Sequence, residues 1–199
     1  IHNQYVLPFK EPLQEVKFLR EPDLLGEEFN IRRKIVEIAT NYIGYPATNY
    51  RGPHNGLDPE RGFDCSGFVI YVLMQARSVF PLLYLPDNLR HANEIFDNLG
   101  VAVHENQIKY GDLVFYSRKG LTITHVGIYC GEITDGKKYV IHSPGVDGKC
   151  VKLTRLIEEP IPINDSSQLY NKNPVGFKRL TTIIKSNPEW KHRWNQAPI

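Results

Sequence analysis

Apolar residues recur at Ile31, Ile35, Ile38, Ala39, Tyr42 and Ile43, the spacing of one helix face, and Gly44 ends the run. A second helix opens near Cys65 and runs to about Arg77 through the apolar stretch Phe68-Val69-Ile70-Tyr71-Val72-Leu73. A third is predicted from Asp87, a good N-cap residue, with Leu89, Ala92, Ile95, Phe96 and Leu99 on its buried face. After Gly100 the pattern shortens to strands at 112–116, 125–130, 139–142, 150–153 and 176–180. Asp135-Gly136 and Asp147-Gly148 are hairpin turn signals between them. Helices first and an antiparallel meander afterwards predict an α+β domain. Its N-terminal helices pack on a central antiparallel β-sheet of about five or six strands.

The segments flanking this pattern lack a period. Residues 1–30, with Pro8, Pro12 and Pro22, read as an extended N-terminal arm, 31–185 as the domain, and 186–199 as a C-terminal tail that Trp190 and Trp194 anchor. The connection 45–62 is rich in Gly, Pro and Asn and long for a loop, as binding loops are.

Bulk numbers narrow the class. With 199 residues, 41% hydrophobic and 23% charged, the chain has the composition of one ordinary globular domain. A net charge of +2 argues against nucleic acid as a partner. No apolar run reaches membrane-spanning length, so no transmembrane segment is expected. The chain begins at Ile1, which fits a mature form whose signal peptide has been removed. Three cysteines make no disulfide framework: Cys130 and Cys150 could pair, or both could stay as thiols. No Cys or His pair has metal-site spacing, and neither a metal nor another cofactor is expected.

The candidate chemistry starts at Phe63-Asp64-Cys65-Ser66-Gly67-Phe68-Val69. A cysteine on the first helical turn meets amide N–H groups with no intrahelical partner and the positive end of the dipole, which favours the nucleophilic thiolate. The competing reading is a small buried apolar residue. A thiolate needs a base, and the base needs a partner that fixes its tautomer. His125 begins one apolar strand and His142 ends the next, so a hairpin could bring them together, His125 towards the thiol and His142 behind it. Each histidine alone reads more readily as a satisfied strand residue; it is the pair together with the cysteine that points to catalysis.

Four blocks, in order, resemble one family. They are Gly62-Phe63-Asp64-Cys65-Ser66-Gly67-Phe68-Val69, Gly111-Asp112-Leu113-Val114-Phe115, Thr124-His125-Val126-Gly127-Ile128-Tyr129 and Ile141-His142-Ser143. Over roughly residues 31–180 the chain resembles the NlpC-type cysteine peptidases, papain-like bacterial enzymes that cut cell-wall peptides. The resemblance implies a papain-like fold, Cys65 as nucleophile, His125 as base and His142 as the third polar residue. It also implies an oxyanion tyrosine upstream, for which Tyr50 is the choice and Tyr45 the reserve. Asp64 and Ser66 would meet the amine or amide of the substrate; otherwise Asp64 is a helix-capping carboxylate and Ser66 first-turn packing. The implied activity is hydrolysis of peptidoglycan peptides at the D-γ-glutamyl–diamino acid bond, by a monomer secreted to the periplasm or cell envelope. The alternatives are an amidase or acyltransferase of the same fold on a non-wall substrate, and a catalytically silent binding module.

Overall fold

The computed structural model describes residues 27–49, 56–118, 122–156 and 174–182. The arm before Glu27, Tyr50, and the tail with Trp190 and Trp194 lie outside the described residues. The helices are α1 (Glu27–Asn41), α2 (Cys65–Val79) and α3 (Ala92–Asn98). A small hairpin pairs β1 (Leu57–Asp58) with β2 (Gly62–Phe63). The main sheet holds β3 (Val101–Val103), β4 (Leu113–Arg118), β5 (Thr122–Glu132), β6 (Lys138–His142), β7 (Lys152–Arg155) and β8 (Gly176–Arg179). Its order is β3-β8-β4-β5-β6-β7, antiparallel at every pairing. The α+β class and the antiparallel sheet are as the pattern predicts, with six strands.

One sheet face packs on the helices. Ile31 and Ile35 of α1, Phe68 and Val72 of α2 and Ile95 of α3 bury against Phe115, Val126, Ile128 and Ile141. The strand residues at alternate positions, Val114, Tyr116, Tyr129 and Val140, form a smaller cluster on the opposite face with Leu156 and Phe177. Helix α2 is buried along Ser66–Ile70, Val72, Leu73 and Ala76, which explains its nearly continuous apolar run.

Several boundaries differ from the sequence pattern; strand β5 starts at Thr122, so His125 lies inside it rather than beginning it. Helix α1 starts at Glu27, one turn before its first apolar position. Helix α3 starts at Ala92, not after Asp87. Glu94 Oε2 accepts from the amides of Arg90 (2.8 Å) and His91 (2.9 Å), which fixes the helix start there. Asp87 is left exposed, 3.5 Å from Arg77. Strand β7 starts at Lys152 because Cys150 and Val151 are already paired with the chain after α1. Gly44 N donates to Val151 O (2.9 Å) and Val151 N to Tyr45 O (2.9 Å). Strand β3 is three residues long with two exposed, too short to show alternation. Both hairpin glycines take the left-handed conformation the turns need, Gly136 at φ 71° and Gly148 at φ 75°. Cys130 is buried and Cys150 exposed, and both are free thiols.

Asp112 ties the far strand to the sheet. It is fully buried and accepts from Lys109 N (2.7 Å), Arg179 Nε (3.0 Å) and Arg179 Nη2 (2.8 Å). Removing the carboxylate leaves a half-buried guanidinium uncompensated. Asp112→Ala should cost about 3 kcal/mol, read as a lower urea midpoint. A loss within about 0.5 kcal/mol, the range of ordinary surface changes, would show that this pair does not hold the sheet.

Candidate active site

The start of α2 is built by three close contacts. Asp64 is the N-cap, with φ −86° and ψ 179°, and its Oδ1 accepts from Gly67 N at 2.7 Å. Gly56 turns the chain back beneath it at φ 63°, and Gly56 O accepts from Asp64 N at 3.1 Å. A Cβ at position 67 would lie 2.0 Å from that Gly56 oxygen, so the backbone approach requires glycine there. Arg90 then closes over the cap. Its Nη1 donates to Asp64 Oδ1 (3.2 Å) and Ser66 Oγ (3.0 Å), and its Nη2 pairs with Asp64 Oδ2.

Cys65 is the first residue of the helix. Its Sγ lies 3.9 Å from Thr124 O, and the Val126 amide is within hydrogen-bonding reach of it. The sulfur therefore sits against the backbone on either side of His125. His125 is 3% exposed, its ring tilted on Tyr116 at 5.7 Å between centroids. His125 Nε2 is 2.8 Å from His142 Nδ1, with the rings edge to face at 89°. Gly127 makes room for this pair. A Cβ there would meet Val140 Cγ1 at 2.4 Å and His142 Cβ at 3.1 Å.

The hairpin sets His125 beside His142, and the Cys65 sulfur lies against the backbone on either side of His125. With His125 donating Nε2–H to His142 Nδ1, its Nδ1 is the ring's acceptor nitrogen. The protonation state differs from the sequence expectation of a thiolate. Burial, and then the adjacent Asp64 carboxylate, push the thiol up to about 11, outweighing the amides of Val126, Ser66 and Cys65. Burial, then His142 and Lys152, hold His125 well below the usual histidine range. Burial and Lys152 bring His142 down to about 4, against a hydrogen bond with the Ser143 backbone. These shifts favour the neutral forms of Cys65 and His125.

Asp64 and Ser66 are buried at 2% and 4% exposure and engaged by Arg90. Tyr45 packs edge-on against Tyr42, 4.9 Å between centroids, as part of the core, and Tyr50 is outside the described residues. The chain leading to it is held at Asn49. Asp147 accepts from Thr48 Oγ1 (2.9 Å), Asn49 N (3.0 Å) and Asn49 Nδ2 (3.0 Å).

Sequence reasoning assigned no role to Arg90, Ser143 or Lys152. Buried Ser143 donates its hydroxyl to Phe63 O at 2.6 Å, joining the residue after His142 to the strand that enters Cys65. Lys152 sits opposite His142 on β7. The Ile141-His142-Ser143 block carried a signal for Ser143; nothing local marks Arg90 or Lys152.

A cysteine on the leading turn of a helix, packed on an antiparallel sheet that presents two histidines, defines a papain-like α+β domain. The chain belongs to the NlpC/P60 family, whose model matches residues 48–161, more than half of its length. It is 34% identical over 158 residues to the gamma-DL-glutamyl hydrolase of Bacillus subtilis, covering 77% of this chain and 31% of that protein. It is 33% identical over 156 residues to the murein DD-endopeptidase MepH of Escherichia coli, covering 75% of this chain and 48% of that protein. The chain thus spans less than half the length of both relatives. A solved NlpC/P60 family protein from Bacillus cereus is similar at TM-score 0.53 and 25% identity, over 74% of this chain and 39% of that one. Among the described residues no helix is long and apolar enough to cross a membrane.

The buried histidines make stability depend on pH. The unfolded chain takes up their protons as pH falls through about 6.5, while the folded protein resists until about 4 at His142 and lower than usual at His125. Stability is therefore full above 6.5 and is lost on the way down. Urea midpoints measured from pH 7.5 to 5 should fall, with a shallower slope in His142→Asn. Equal slopes in the two proteins would contradict neutral burial of this imidazole.

Proposed function

We propose that this domain is a cysteine hydrolase of bacterial cell-wall peptides, acting outside the cytoplasm at the D-γ-glutamyl–diamino acid bond. The observation that carries the reading is the row of Cys65, His125 and His142, with the two imidazoles 2.8 Å apart and the sulfur against the His125 backbone. Family membership supports the peptidoglycan substrate, and similarity to a gamma-DL-glutamyl hydrolase supports the choice of bond.

In this reading Cys65 Sγ attacks the carbonyl as its proton passes to His125 Nδ1, and His142 steadies the imidazolium that forms. The oxyanion is met by the Cys65 amide and by Tyr50. His125 protonates the leaving amine, and the acyl-enzyme is then opened by a water that His125 deprotonates. Asp64 and Ser66, expected to meet the amine or amide of the substrate, are buried beneath Arg90 and act on the reaction through the helix start they hold. Neutral imidazole and neutral thiol hold the protons where the first step needs them, so no prior ionisation is required.

Defined muropeptides incubated with the protein, with fragments read by mass spectrometry, test this. Cleavage between D-glutamate and the diamino acid is expected, absent in Cys65→Ala and slowed roughly 10²–10³-fold in Tyr50→Phe. An intact substrate with a folded enzyme, or cleavage that survives Cys65→Ala, would overturn the reading.

A further inference from the structure

Lys152 is paired directly across from His142. Opposed residues of an antiparallel pair project from the same sheet face, with Cβ atoms roughly 4.5–5.5 Å apart. His142 in turn reaches His125 on β5. Lys152, His142 and His125 therefore form a row across three neighbouring strands, with the Cys65 sulfur against the backbone on either side of His125. Along it exposure falls from an exposed lysine, through a half-buried His142, to His125 at 3%. Among the described residues the ion pairs use Lys34, Arg61, Arg77, Arg90 and Arg179, and Lys152 enters none of them.

A cation here opposes the reaction beside it. His125 must become an imidazolium in acyl transfer, and a like charge one strand beyond its partner raises the cost of that step. Lys152 from β7 is the charged group that acts on both imidazoles, Tyr116 from β4 packs on His125, and Asp64 acts on Cys65. Asp64 already has Arg90 as its counter-ion, so among the described residues no carboxylate is paired with Lys152. An anion from the substrate would cover it.

We propose that Lys152 is a specificity residue that binds a free carboxylate of the substrate beside the scissile bond. The inference rests on the hydrolase reading and narrows it to amides whose acyl part bears a carboxylate, as a γ-linked glutamyl residue does at its α-carbon. Neutralising Lys152 helps the transition state more than the bound ground state, because the imidazolium exists only in the former. The preference is therefore expressed in kcat as well as in KM.

The test compares a muropeptide with a free glutamyl carboxylate and the same peptide as its carboxamide. Kinetics of the native enzyme, Lys152→Met and Lys152→Arg are combined with calorimetric binding to Cys65→Ala, with and without Lys152→Met. The native enzyme should favour the carboxylate about tenfold in kcat/KM, Lys152→Arg should keep that ratio, and Lys152→Met should bring it close to one. Lys152→Met should also cut the carboxamide faster than the native enzyme and move the acid limb to higher pH. Carboxylate-selective binding that needs Lys152, without cleavage of either peptide, would sustain this proposal and sink the hydrolase reading. Equal ratios in native and Met forms, or no selective binding, would overturn the proposal itself.

Discussion

A buried carboxylate beside the thiol sets most of what this domain does. Asp64 is 2% exposed, so its charge must be met inside the protein, and Arg90 and the Gly67 amide meet it. Those bonds fix the first turn of α2, and with it the direction of Cys65. They also join the helix start to the turn before α3. The same carboxylate, added to burial, keeps the thiol protonated. One arrangement thus places Cys65 at the helix start and favours its protonated form.

The two imidazoles are brought together by strand register. Tyr116 faces His125 across β4 and β5, and the β5–β6 pairing carries His142 to the same end of the sheet. Gly127 leaves the space in which the imidazoles meet, and Ser143 binds Phe63 at the entry to Cys65. Helix start and strand ends are held by direct bonds, so a small shift in either would separate sulfur from ring.

Much of this was legible in the sequence, for identifiable reasons. Helices α1 and α2 and strands β4, β5 and β6 bury whole faces or both faces, and burial writes itself as apolar period. Strand β3, with two of its three residues exposed, leaves no such mark. The start of α3 misled because Asp87 is a good cap residue whose carboxylate in fact faces Arg77, while the fixing group, Glu94, lies inside the helix. At the site, the meeting of His125 and His142 could be read from residue types and a hairpin. Arg90 could not, since its partner is 26 residues away and only packing joins them. The thiol's protonation was misjudged for the same reason: the helix start is visible in sequence, whereas the depth of burial is not.

The central claim is that His125 removes the proton from a thiol that burial would otherwise keep neutral. Iodoacetamide alkylation of Cys65, followed by peptide-resolved mass spectrometry in native protein and His125→Ala, tests it most directly. Exposed Cys150 serves as internal control. The native thiol should react readily at pH 7, while in His125→Ala the rate should collapse at neutral pH and recover only as pH rises towards about 11. Equal rates at pH 7 in the two proteins, with Cys150 unchanged, would contradict the account.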